Sequence, residues 1–119
     1  MPNQPDTRGS GPREPRADAP LIRNISDTAR WVAFYRALES ERADAHFRDP
    51  LARRLAGERG EQIVRGMKKG VAFSWSMIVR TCIMDELILR AVGRDKLDTV
   101  VNLAAGLDAR PYRLPLPPR

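Results

Sequence analysis

Apolar residues recur at helical spacing through most of this chain. Trp31, Val32, Phe34, Tyr35 and Leu38 form a broad stripe that predicts a helix opening at Ser26 or Asp27 and fading near Ser40. Asp49-Pro50 sets a capping carboxylate before a proline suited to the first helical position. It predicts a short helix over Leu51–Ala56, ended by Gly57. A further helix is predicted over Glu58–Met67, with Ile63, Val64 and Met67 facing inward, broken by Lys68-Lys69-Gly70. The longest apolar segment runs from Val71 to Val92, with Phe73, Trp75, Ile78, Val79, Ile83 and Leu87 spread round its axis. That distribution predicts burial on several sides, and Gly93 is placed to be its left-handed cap.

The period then changes. Thr99–Leu103 is β-branched and aliphatic and predicts a buried parallel strand. It empties into the small-residue turn Ala104-Ala105-Gly106, with a helix start around Asp108-Ala109-Arg110-Pro111. Strand, tight turn and helix start is how an open α/β sheet offers backbone N–H groups to a nucleotide-like ligand. Small side chains let the ligand approach the backbone. With one glycine in the turn, spacing alone is not specific. The chain divides into a tail (1–22), a helical region (23–96) and a strand, turn and helix start (97–119). The tail is poor in apolar residues and rich in Pro, Gly, Arg and Asp, so it is expected to be disordered.

Composition narrows the classes. The 119 residues, 13.4 kDa, carry a net charge of +6 and a pI near 10.4. The excess centres on Arg53, Arg54, Arg59, Arg65, Lys68 and Lys69, mixed with Glu58 and Glu61. Without an aromatic platform, zinc signature or helix-turn-helix pattern, this reads as a solvated helical face rather than a nucleic-acid surface. A single cysteine, Cys82, excludes an intramolecular disulfide and suits a reducing cytoplasm, the expected location. No apolar run approaches the roughly 20 residues of a membrane span. His46 stands without converging acids or cysteines, so no metal site is expected. Cys82, Trp31, Tyr35 and Trp75 read as core residues.

Arg80 is the most informative single position. Its neighbours three and four residues away, Ser76, Met77, Ile83 and Met84, include no acid. If buried, its guanidinium needs a partner from elsewhere, either another part of the chain or a bound anion. Asp108 can cap the following helix or line a pocket beside Gly106, and Asn102 can orient the turn.

The run Val100-Val101-Asn102-Leu103-Ala104-Ala105-Gly106-Leu107-Asp108-Ala109-Arg110-Pro111-Tyr112-Arg113-Leu114 resembles the first cofactor motif of the leucine carboxyl methyltransferase-like family, above all its actinobacterial branch. The Thr28-Ala29 pair and the Arg48-Asp49-Pro50 turn resemble its N-terminal helices. Members commonly carry glycine where this chain has Ala104, a departure that narrows the room for a cofactor. The resemblance covers Ile25–Arg119.

It implies an α/β fold: the N-terminal portion of a class I, Rossmann-like methyltransferase, mostly helical with the first parallel strand. It implies S-adenosyl-L-methionine (SAM) as cofactor, with Arg80 of the Arg80-Thr81 pair on the methionine carboxylate. Ala104, Ala105 and Gly106 would give backbone contacts, Asp108 would lie beside them, and Tyr35 could face the substrate. The reaction implied is methyl transfer to an oxygen acceptor, a small molecule or carboxylate whose identity is not legible; no catalytic residue is assigned. A doubly wound sheet needs several strands, and this chain offers one, without the later acid and adenine contacts. It is therefore expected to be a truncated enzyme, inactive alone. Two other classes stand beside this reading: a small basic helical binding or regulatory module, and a charge-driven nucleic-acid binder.

Overall fold

The computed structural model describes residues 19–118; the tail predicted for residues 1–22 lies, through residue 18, outside the described residues. Four helices follow in order: α1 (Ile25–Ser40), α2 (Ala52–Gly66), α3 (Ser74–Gly93) and the single turn α4 (Arg110–Arg113).

Helix α1 begins one to two residues before the predicted caps. Asn24, in extended conformation, accepts the Asp27 N–H at 2.8 Å, while the Asp27 carboxylate accepts the Arg23 N–H at 3.0 Å. Two side chains thus satisfy two otherwise orphaned donors at the helix entrance. Phe34, Tyr35, Ala33 and Ala37 are buried, with Trp31 and Leu38 packed at the edge. Trp31 meets Tyr35 edge to face, ring centres 5.9 Å apart.

The Asp49-Pro50 signal is realised within two residues. Asp49 Oδ1 accepts the Leu51 N–H at 3.0 Å and its carbonyl accepts the Ala52 N–H at 3.2 Å. Helix α2 is interrupted at Gly57, whose φ of +58° and ψ of −174° are not helical. The predicted break is therefore present as a kink between two helical pieces. Ala52, Ala56, Ile63 and Val64 are buried, and α2 packs along α1. Their backbones approach closely at Gly60, where a Cβ would stand 2.6 Å from the Arg30 carbonyl oxygen.

Helix α3 corrects one expectation. Of its residues only Thr81 and Asp85 are buried, whereas Trp75, Val79, Ile83 and Leu87, and Phe73 just before it, are exposed. The multi-sided apolar pattern predicts burial, whereas α3 meets α1 and, through Asp85, the turn carrying Arg110 and Arg113, and leaves much of its apolar surface exposed. Gly93 also departs from expectation: it ends the helix, and the left-handed residue is Lys96, φ +58°. Leu97 N–H then reaches back to the Ala91 carbonyl at 3.1 Å.

Thr99–Leu103 corrects a second expectation. The segment is not in a strand, and Val100, Val101 and Leu103 are exposed. A strand exists through paired N–H and C=O groups, and no neighbour offers them among the described residues. The described architecture is helical, without the parallel sheet of the predicted α/β fold. No helix among the described residues is long and apolar enough to cross a membrane.

Candidate functional site

The turn after residue 103 is built from small residues because its backbone demands it. Ala104 and Gly106 have φ of +51° and +55°, the left-handed region that side chains resist. Asp108 closes the turn: its N–H donates to the Ala105 carbonyl at 2.9 Å, and its carboxylate accepts from Asn102 Nδ2 at 3.1 Å. Asn102 thereby orients the turn, the role expected of it from the sequence.

The same carboxylate accepts the Arg110 N–H at 3.0 Å and pairs with the Arg110 guanidinium at 2.8 Å. Burial alone would push the Asp108 carboxyl up, but the backbone and side-chain bonds from Arg110 prevail and hold it below the usual carboxylate range. Asp85 extends the network across to α3. Arg110 Nε lies 2.7 Å from it and Arg113 Nη2 also 2.7 Å, so one buried carboxylate holds two guanidinium groups. Between Asp85 and Asp108, Arg110 is kept firmly protonated against the opposing cost of burial.

A second clamp comes from α1. Arg36 is buried; its Nε pairs with Asp49 at 2.8 Å and its Nη2 donates to the Leu107 carbonyl at 2.5 Å. Asp49 is itself fixed, its N–H donating to Ser40 Oγ at 2.8 Å. The first helix, the turn before α2 and the residue after Gly106 are thus tied together by one side chain.

These elements enclose a cavity of about 630 Å³ between α1, α3 and the turn. Arg80, Ala104, Ala105, Gly106 and Asp108 all line it, with Arg36, Thr81 and Arg110 adding polar groups. Arg80 is exposed rather than buried, and among the described residues it makes no ion pair. Its guanidinium therefore has no need of an internal counter-charge.

Tyr35 is placed elsewhere. It is buried, its hydroxyl donates to the Gly70 carbonyl at 2.6 Å, and it lines a separate cavity of about 550 Å³. Of the other aromatics read as core, Trp31 is half-buried and Trp75 exposed. Cys82 is half-buried, its thiol pushed up by burial and then by the charges of Asp85 and Glu39, which suits an inert side chain. His46 Nδ1 rests 3.1 Å from Glu39, an acid the sequence pattern did not bring to it. No metal-binding cluster occurs among the described residues.

Sequence reasoning missed Arg36, Asp85 and Arg110. The available signal was Asp85 itself, an acid in an apolar helix four residues after Thr81, on the stripe that proves buried. Its partners lie 25 and 28 residues further on, beyond any local pattern.

Known proteins resemble this chain in sequence. A protein of Streptomyces coelicolor is 41% identical over 100 residues, covering 76% of this chain and 34% of its own length. One from Rhodococcus jostii is 38% identical over 103 residues, covering 82% and 35%. One from Streptomyces avermitilis is 36% identical over 100 residues, covering 76% and 34%. All three carry the provisional name of S-adenosyl-L-methionine-dependent methyltransferase. The chain spans about a third of the length of these relatives. No solved structure matches it. The family described as leucine carboxyl methyltransferase matches residues 29–119, almost all of the described fold, and the chain belongs to that family.

Proposed function

We propose that this chain forms one wall of a SAM-binding site in a methyltransferase that modifies an oxygen acceptor. The residues assigned to the cofactor are Arg80, Ala104, Ala105, Gly106 and Asp108. The observation that carries the reading is the convergence of Arg80, from the middle of α3, with the distant small-residue turn on one cavity.

The group fits these residues. The cavity volume of about 630 Å³ falls within the roughly 300–1,000 Å³ of small-molecule sites. Arg80 offers a planar, bidentate cation, the shape that suits a carboxylate. The turn presents only methyl groups and hydrogen, and a Cβ built on Gly106 would have just Ala29 nearby, at 3.7 Å. A ligand can therefore approach the backbone amides. Asp108, held by Arg110 and Asn102, keeps the turn in shape on the cavity wall.

When bound, SAM supplies a methyl group already made electrophilic by its sulfonium. The protein's task is then mainly positional. Arg80 anchors the methionine carboxylate, the turn fixes the opposite side, and the Arg36 and Asp85 clamps hold both supports still. The relatives' extra length leaves room for a whole Rossmann-like α/β fold. The activity is a property of that whole fold, and the acceptor is a carboxyl or hydroxyl compound.

Calorimetric titration with SAM tests the assignment. Arg80→Ala should weaken binding by roughly 0.5–1 kcal/mol, the scale of an ion pair whose guanidinium is exposed, and Arg80→Lys by less. An unchanged dissociation constant in Arg80→Ala would remove Arg80 from the site.

A further inference from the structure

The turn between α2 and α3 is built to hold apolar side chains out in water. Its base is fixed. The Tyr35 hydroxyl donates to the Gly70 carbonyl at 2.6 Å, and a Cβ at Gly70 would collide with the Val64 carbonyl oxygen. Lys69 is left-handed, φ +60°, and the Phe73 and Ser74 N–H groups donate back to the Lys69 and Val71 carbonyls, each at 3.1 Å. On this frame alternate residues carry large apolar side chains: Val71 is 55% exposed, Phe73 62% and Trp75 65%. The hydrogen-bonded backbone keeps them from folding back onto the core.

Charge sets this patch apart from the rest of the exposed apolar surface. No Asp or Glu stands between Glu61 and Asp85, whereas Arg65, Lys68, Lys69 and Arg80 do. Arg65 is paired with Glu61, but Lys68 and Lys69 are exposed and make no ion pair among the described residues. Further along α3, near Ile83 and Leu87, the sign is mixed, and Glu86 is paired with Arg90. A second copy seated on the turn would set lysines against lysines, which opposes that contact. An anionic lipid surface satisfies both halves of the patch. Tryptophan and phenylalanine settle at the headgroup boundary, and lysines beside them are drawn to anionic headgroups while their stems lie along apolar surface.

We propose that the turn over residues 68–75 is a docking surface for an anionic lipid bilayer. Val71, Phe73 and Trp75 enter the headgroup boundary, and Lys68 and Lys69 pair with the headgroups. The contact is peripheral, in keeping with the absence of a spanning helix among the described residues. It uses none of the residues assigned to SAM and stands apart from that reading.

The test floats the chain with vesicles through a density gradient, which separates bound protein from aggregate. Vesicles of phosphatidylcholine mixed with phosphatidylglycerol should carry it and shift its indole emission to the blue. Phosphatidylcholine alone should bind about tenfold more weakly. Phe73→Ser with Trp75→Ser should weaken binding to the mixed vesicles by about tenfold or more and abolish the emission shift. Lys68→Gln with Lys69→Asn, an asparagine being at ease in the left-handed region, should cost about tenfold on the mixed vesicles and nothing on the neutral ones. Ile83→Ser with Leu87→Ser should change binding by less than about twofold. Circular dichroism checks that each variant keeps its helix content.

Equal binding to both kinds of vesicle, or binding indifferent to Phe73→Ser with Trp75→Ser, overturns the proposal. So does a chain that floats with neither. If it stays off the vesicles while light scattering shows its mass falling in Phe73→Ser with Trp75→Ser, the surface takes a second copy and the lipid assignment is wrong.

Discussion

Ala104 holds a left-handed backbone, φ +51°, that costs an L-residue about 1 kcal/mol and glycine almost nothing. Its methyl group also points at space the candidate cofactor would use. Ala104→Gly should stabilise the turn by roughly 0.5–1 kcal/mol, read as slower amide exchange over residues 105–108; Ala104→Val should do the reverse.

Asp27 makes a pH prediction. Its carboxyl is lowered from 3.8 to about 2, first by the Arg59 guanidinium and then by the Arg23 N–H. The unfolded chain takes up this proton at higher pH than the folded one. The contribution to stability is therefore fully present above the unfolded value of 3.8 and is lost as pH falls through about 2. Urea unfolding midpoints between pH 5 and pH 2 should fall less steeply in Asp27→Asn than in the native chain.

At the scale of elements, the close approach of α1 and α2 depends on one missing side chain. Gly60→Ala places a methyl 2.6 Å from the Arg30 carbonyl oxygen and should destabilise by roughly 1–3 kcal/mol in chemical denaturation. Arg36 joins three elements at once. Arg36→Leu strands the buried Asp49 carboxylate and frees the Leu107 carbonyl, at a cost of roughly 3–5 kcal/mol.

What the sequence revealed about these elements follows the range of the interactions. Asp49-Pro50, the Gly57 break and the apolar stripe of α1 are local and were readable. Capping by Asn24 rather than Ser26 turns on which oxygen reaches the Asp27 amide, a matter of a residue or two. The solvent-facing side of α3 was not readable, because composition records what a helix could bury and not what lies beside it. The candidate site is legible in the run Val100–Leu114 and in Arg80; its supports, Arg36 and Asp85, act across distances in sequence that no pattern spans.

Across the whole molecule, two kinds of cohesion operate. The α1–α2 unit is held by a buried apolar cluster around Phe34, Tyr35, Ala56 and Val64, whereas α3 presents Trp75, Val79, Ile83 and Leu87 to solvent. Exposed apolar area on this scale favours association. Light scattering should show the mass rising with concentration, and the paired change Ile83→Glu with Leu87→Glu should suppress the rise while changing stability by only about 0.5 kcal/mol.

The last helical turn is fastened differently, by two guanidinium groups sharing the Asp85 carboxylate. A fastening of charges answers to ionic strength, and an apolar cluster does not in the same sense. Raising salt towards 1 M shrinks the screening length to about 3 Å, yet the pairs at Asp85 are buried and only 2.7 Å long, so the segment carrying Arg110 and Arg113 should hold while exposed pairs such as Arg53–Glu41 weaken and lyotropic salts tighten the α1–α2 unit. One jar of ammonium sulfate would thus stiffen the apolar end of this protein and leave its buried charged fastening in place.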